Sequence, residues 1–162
     1  AQFEKANGIQ SNSISTNNIG AVTHVKGGND KAGREKALEL FTEAGDANET
    51  KYNMGLLNIQ AGEYPEALAN MDGNKTLNVA IAMIVSGDAA GALEVIDASD
   101  NNDSALAYYL KAIVGARTNN SDLVFSNLKT AIEKDAAFKT KASKDREFVK
   151  HFLNADFKAI TD

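Results

Sequence analysis

The stretch KYNMGLLNIQAGEYPEALANM, residues 51–71, decides the fold. Ala67, Leu68 and Met71 fall at i, i+1 and i+4, which a helix of 3.6 residues per turn gathers on one face. The run before them is also helix-like and ends at Gly62, where a chain reversing between two helices needs a residue that accepts positive φ. Pro65 stands near the start of the second helix, where its missing N–H is not needed. Gly55, in the middle of the first helix, is small enough to let the second helix cross closely. Helix, turn and helix therefore follow one another within these residues.

The same arrangement recurs in both directions along the chain. Ala37, Leu38, Leu40, Phe41 and Ala44 repeat the apolar spacing, as do Ala92, Leu93 and Ile96, and then Val124, Leu128 and Ala131. Each follows a helix-like run: NIGAVTHVKGG (18–28), NVAIAMIVSGDA (78–89) and YLKAIVGARTNNSD (109–122). Gly20 and Ala80 take the mid-helix place of Gly55, and Gly87 takes the turn place of Gly62. The turn KGGNDKAGRE (26–35) reads as too long for the pattern, so the register of the first unit is expected to be irregular. Residues 139–162 keep Phe148, Phe152, Leu153, Phe157 and Ile160 among many charges, the texture of a capping segment that closes an exposed end.

These residues resemble the tetratricopeptide repeat (TPR) family, whose unit of about 34 residues has a small residue in helix A, Gly at the turn, and Ala with a large apolar residue in helix B. Gly55, Gly62, Tyr64, Ala67 and Met71 carry the resemblance best, and it covers residues 13–138. Equivalent positions Phe41, Met71, Ile96 and Leu128 are 30, 25 and 32 residues apart, so the units are short and degenerate. The expected fold is all-α: a TPR-like α-solenoid of about four helical hairpins with a C-terminal capping segment, forming one domain over 1–162. Phe3-Glu4-Lys5-Ala6 repeats the spacing of Phe41 and Ala44, so residues 1–12 read as the tail of a preceding repeat in a longer array. YYLKAIVGARTNN and DREFVKHFLNADF are similar to TPR proteins of Bacteroidetes cell envelopes, which implies a periplasmic or outer-membrane-associated location.

Composition narrows the function. The chain has 162 residues, 43% hydrophobic, with 17 basic and 22 acidic side chains for a net charge of −5. The absence of Cys excludes disulfides, thiolate metal sites and Cys nucleophiles. An acidic chain without a Lys/Arg run lacks the electrostatic footprint that nucleic acid requires. No apolar run approaches the ~18 residues of a membrane span. His24 and His151 lie far apart, with no second His or carboxylate at i+3 or i+4 to complete a metal or acid–base pair. The phosphate-cradling and nucleophile-elbow motifs are absent as well. Asp97 to Asp103 alternates oxygen side chains like a calcium loop but has Asn102 where the turn wants Gly and Tyr108 where a bidentate Glu belongs, so a polar turn with an N-cap at Asp103 or Ser104 is expected. The expectation is a protein without catalysis, cofactor or metal.

The resemblance implies a groove lined by the first helices. Carried over by spacing, its positions are Asn17, Ala21 and His24, then Tyr52, Leu56, Ile59 and Gln60, then Leu77, Ile81 and Ile84, and finally Tyr109, Ile113 and Arg117. The Lys/Asn clamp with which some TPR proteins hold a carboxylate terminus is missing. Leu77, Ile81, Ile84 and Ile113 fit a core as well as a groove, whereas Tyr and Arg combine area with a polar handle. The candidate partner-binding set is Tyr52, Ile59, Tyr109, Ile113 and Arg117, and the function so implied is a protein–protein interaction scaffold holding a partner segment. Two alternatives stay open: an envelope ligand- or glycan-binding protein with Tyr52 and Tyr109 stacked on a small molecule, or a structural spacer whose groove is filled by its own C-terminal segment.

Overall fold

The computed structural model describes residues 2, 5, 13–27 and 30–162, so the tail expected within 1–12 lies outside the described residues except for Gln2 and Lys5. Among the described residues the chain is all-α, with no strand. It divides into two compact units at Gly73/Asn74.

The first unit contains α1 (Ser13–Gly27), α2 (Lys31–Ala44), α3 (Asn48–Ala61) and α4 (Tyr64–Asn70), and α1 packs on α2, α2 on α3, and α3 on α4. Glycine sets how closely two of these pairs approach. A Cβ at Gly20 would sit 2.7 Å from the Phe41 ring, and one at Gly55 would sit 2.5 Å from Met71 Cγ, so only hydrogen fits at either crossing. Ala37, Phe41 and Leu57 form the buried cluster, with Ala21 and Met54 against it. Gly62 closes α3 with φ 82°, and the Glu63 N–H bonds back to Asn58 O. The stretch 26–35, expected as an over-long turn, is helical on both sides of residues 28–30: α1 runs to Gly27, and Asp30 accepts from the Gly33 N–H at 2.6 Å to start α2.

The second unit contains α5 (Leu77–Ser86), α6 (Ala89–Asp97), α7 (Ala105–Arg117) and α8 (Ser121–Lys134), followed by α9 (Ala137–Ala142), a 3₁₀ helix (Arg146–His151) and α10 (Ala155–Thr161). Side-chain caps start most of these: Asp88 for α6, Ser104 for α7, Asn120 for α8 and Asn154 for α10. Each such cap is worth roughly 1 kcal/mol. Consecutive helices α5 to α8 pack on one another, and the C-terminal elements pack on α7 and α8. At the α7/α8 crossing Gly115 is pressed against α8: its Cβ would meet the Val124 amide nitrogen at 2.8 Å. The expected capping segment is built of short helices, with Asp145 and Asn154 starting new ones within it. Phe148 and Phe157 enter the core, while Leu153, another apolar residue of that segment, is 88% exposed.

Candidate functional site

Tyr109, Ile113 and Arg117 stand at i, i+4 and i+8 on α7 and share one face, as the groove assignment requires. That face is covered by the segment following α8. The Tyr109 ring packs against Phe138 (centroids 4.7 Å apart) and edge-on to Phe148 (5.7 Å), and Lys141 Nζ lies 4.9 Å from its centre. Its hydroxyl donates to Asp145 Oδ2 at 2.7 Å. Burial, together with the bond to the Asp145 carboxylate, pushes the phenol well above its ordinary range, so Tyr109 remains a donor at every physiological pH. Ile113 is buried beside it.

Arg117 ends the ridge. Its Nε and Nη2 donate to the two carboxylate oxygens of Glu147 at 2.8 and 2.6 Å, and Nη1 donates to the Ile84 carbonyl at the end of α5. The hydrogen bond to Glu147 raises the guanidinium pKa further. A planar fork matched by a carboxylate on one side and a carbonyl on the other thus has three of its five in-plane N–H donors engaged within the chain. The properties that made Tyr109 and Arg117 attractive as partner contacts are used within the chain: ring, hydroxyl and guanidinium each have an internal partner.

Tyr52 and Ile59 lie on α3 in the first unit and are half-buried. Beside them a polar network crosses to α4: Asn58 Nδ2 donates to Glu63 Oε2 at 2.8 Å, and Asn70 Nδ2 donates to Asn58 Oδ1 at 3.0 Å. Buried Asn58 thus has both ends of its amide satisfied, which is what its burial requires. Between α2 and α3 lies a cleft of about 280 Å³ lined by Lys31, Arg34, Leu38, Leu57, Asn58 and Glu63, among others. Sequence reading passes over it, because Lys31 and Arg34 look like a solvated helix face and Asn58 like an ordinary polar position; only tertiary packing brings them together. Its rim mixes both signs of charge.

The calcium-like run is a turn. Asp97 pairs with Lys111 at 2.6 Å, Asp103 accepts from Lys134 and from the Tyr108 hydroxyl at 3.0 Å each, and Ser104 caps α7. These partners, Lys134 first, hold the Asp103 carboxyl below its usual range. No group of three or more metal-binding side chains occurs among the described residues. His151 packs against Phe125 and Phe157, and His24 Nδ1 is buried without a hydrogen-bond partner. None of the described helices is long and apolar enough to cross a membrane. No family model matches the chain, and no curated protein is significantly similar to it.

Proposed function

We propose that this chain is a non-catalytic, TPR-like helical scaffold of the spacer kind, in which the C-terminal segment completes the second unit by filling the face of α7. One observation carries this reading. Tyr109 and Arg117, the strongest candidates for contact with a partner, are engaged by Asp145 and Glu147 of the same chain. A stack of helical hairpins needs its last apolar face covered, and a segment that brings Phe138, Phe148 and two carboxylates to one ridge does so without a partner.

A second reading keeps the interaction scaffold and seats its partner segment on the first unit, where Tyr52 and Ile59 are half-buried and the α2/α3 cleft is open. Capture from soluble and envelope fractions of the source cells separates the two, using wild type and Tyr52→Ala/Ile59→Ala, both verified as folded by circular dichroism. Under the spacer reading, nothing is retained by wild type that the variant loses. A protein held by wild type and released by the variant would replace it with the interaction-scaffold reading.

A further inference from the structure

Residues 144–153, KDREFVKHFL, look in sequence like a mixed-charge stretch, but the fold sorts the charges. Both carboxylates turn inward, Asp145 to Tyr109 and Glu147 to Arg117. Lys144, Arg146 and Lys150 are exposed and, among the described residues, pair with no carboxylate; Lys150 reaches only the neutral Asn119 amide. Val149 is 60% and Leu153 88% exposed. In a 3₁₀ helix residues three apart eclipse, so Arg146 lies beside Val149, while Lys150 falls on the neighbouring column and Leu153 follows in the turn after the helix ends at His151. The outward side of this short segment therefore carries bases and exposed apolar side chains, its carboxylates being engaged within, on a chain whose net charge is −5.

The complement is present in the first unit. Glu35, Glu39 and Glu43 repeat every four residues along α2, with Leu38 and Thr42 between them in a shallow depression. Leu38 is 38% exposed, and the Thr42 hydroxyl turns back to the Leu38 carbonyl, which leaves its methyl group to the surface. The Lys31–Glu35 and Lys36–Glu39 pairs on this helix are solvent-exposed, and exposed pairs of that kind hold their partners weakly.

We propose that the outward face of the C-terminal segment (Arg146, Val149, Lys150, Leu153) docks on the acidic face of α2 of a second copy of this chain, head to tail. The contact uses two different surfaces and is therefore heterologous: it leads to a ring or an open series rather than a two-fold dimer. The acidic chain disfavours an anionic bilayer as the occupant, whereas α2 offers both the charge and the apolar centre.

The test is a pair of charge reversals in the full chain, followed by sedimentation velocity from micromolar to near-millimolar concentration at low and high salt. Wild type is expected to associate with concentration and to dissociate as salt rises. Arg146→Glu/Lys150→Glu places acid against the acidic α2, and Glu39→Lys/Glu43→Lys places base against the basic segment; each alone weakens association by about tenfold or more. An equimolar mixture of the two restores it, because each offers the other a complementary pair of faces. All four positions are exposed, and circular dichroism checks that both variants are folded. A wild type that stays monomeric throughout, variants that associate like wild type, or a mixture that associates no better than its components would each overturn the proposal. So would a monomer that binds phosphatidylserine vesicles through Arg146 and Lys150, which would assign the basic segment to a membrane.

Discussion

The Tyr109 hydroxyl and the Asp145 carboxylate meet at 2.7 Å although 36 residues separate them in the sequence. Through this bond the C-terminal segment is fastened to the ridge of α7, with the aromatic contacts to Phe138 and Phe148 around it. Removing the donor leaves Asp145 with the Glu147 amide as its remaining bond. Tyr109→Phe is therefore expected to cost about 1.5–3 kcal/mol, the range for a hydrogen bond to a charged group. Chemical denaturation checks the value.

The same residue gives an alkaline signature. The folded-state pKa of Tyr109 is raised above its ordinary 10.0, so its contribution is complete below that pH and is lost as pH rises through the folded value. Above pH 10 the unfolded chain ionises at this position and the folded chain does not. Wild type should lose stability with rising pH more steeply than Tyr109→Phe, and the difference between the two curves isolates this hydroxyl. Parallel curves would show that Tyr109 is not held neutral.

Arg117 and Glu147 should be coupled. The pair is bidentate, with about 30% and 29% of its two side chains exposed. A double-mutant cycle with Arg117→Ala and Glu147→Ala is expected to return about 1 kcal/mol, shrinking as salt is added. Arg117→Lys keeps the charge but cannot present the fork, so it should recover less than half of that coupling.

Gly55 reports on the α3/α4 crossing. Alanine is the better helix former by about 1 kcal/mol, but its Cβ would overlap Met71 Cγ and lie 3.2 Å from the Ala67 carbonyl. Gly55→Ala is expected to destabilise by about 1–3 kcal/mol. In a Met71→Ala background the overlap disappears, and the same substitution becomes neutral or stabilising. A cost that persists in that background would mean that the Ala67 carbonyl, 3.2 Å from the added Cβ, and not Met71 sets the α3/α4 crossing, whereas no cost in the wild-type background would mean that the helices are not held together at this point.

Asp103 provides an acid-side test. Its carboxyl titrates below the ordinary 3.8 because Lys134 and Tyr108 bond to the ionised form. A depressed carboxylate stabilises above its unfolded pKa, and that contribution is lost as pH falls through the folded one. The stability difference between wild type and Asp103→Asn should be steady near neutrality and vanish on acidification below pH 4, as followed by thermal melts.

Much of the helical order is legible in the sequence because it rests on local signals. Gly62 and Gly87 close their helices with φ of 82° and 100°, and Pro65 sits in the first turn of α4. The small residues Gly20 and Gly55 meet the large ones, Phe41 and Met71, that the apolar spacing singles out. The C-terminal segment is less legible. Phe148, Leu153 and Phe157 look alike in sequence as apolar residues of a capping segment, but the new caps at Asp145 and Asn154 break it into short helices and leave Leu153 outside the core. The covering of Tyr109 and Arg117 is invisible to periodicity altogether, since it depends on contacts with residues 30 and 36 positions away.

Native-state hydrogen exchange of the full chain tests the central claim most directly. If the C-terminal segment is the filling of the α7 face, amides of the 3₁₀ helix and α10 should exchange in step with those of α7, as one cooperative unit that denaturant opens together. Fast exchange across residues 137–162 while α7 stays protected would contradict the account, leaving the ridge of Tyr109, Ile113 and Arg117 open for a partner to occupy.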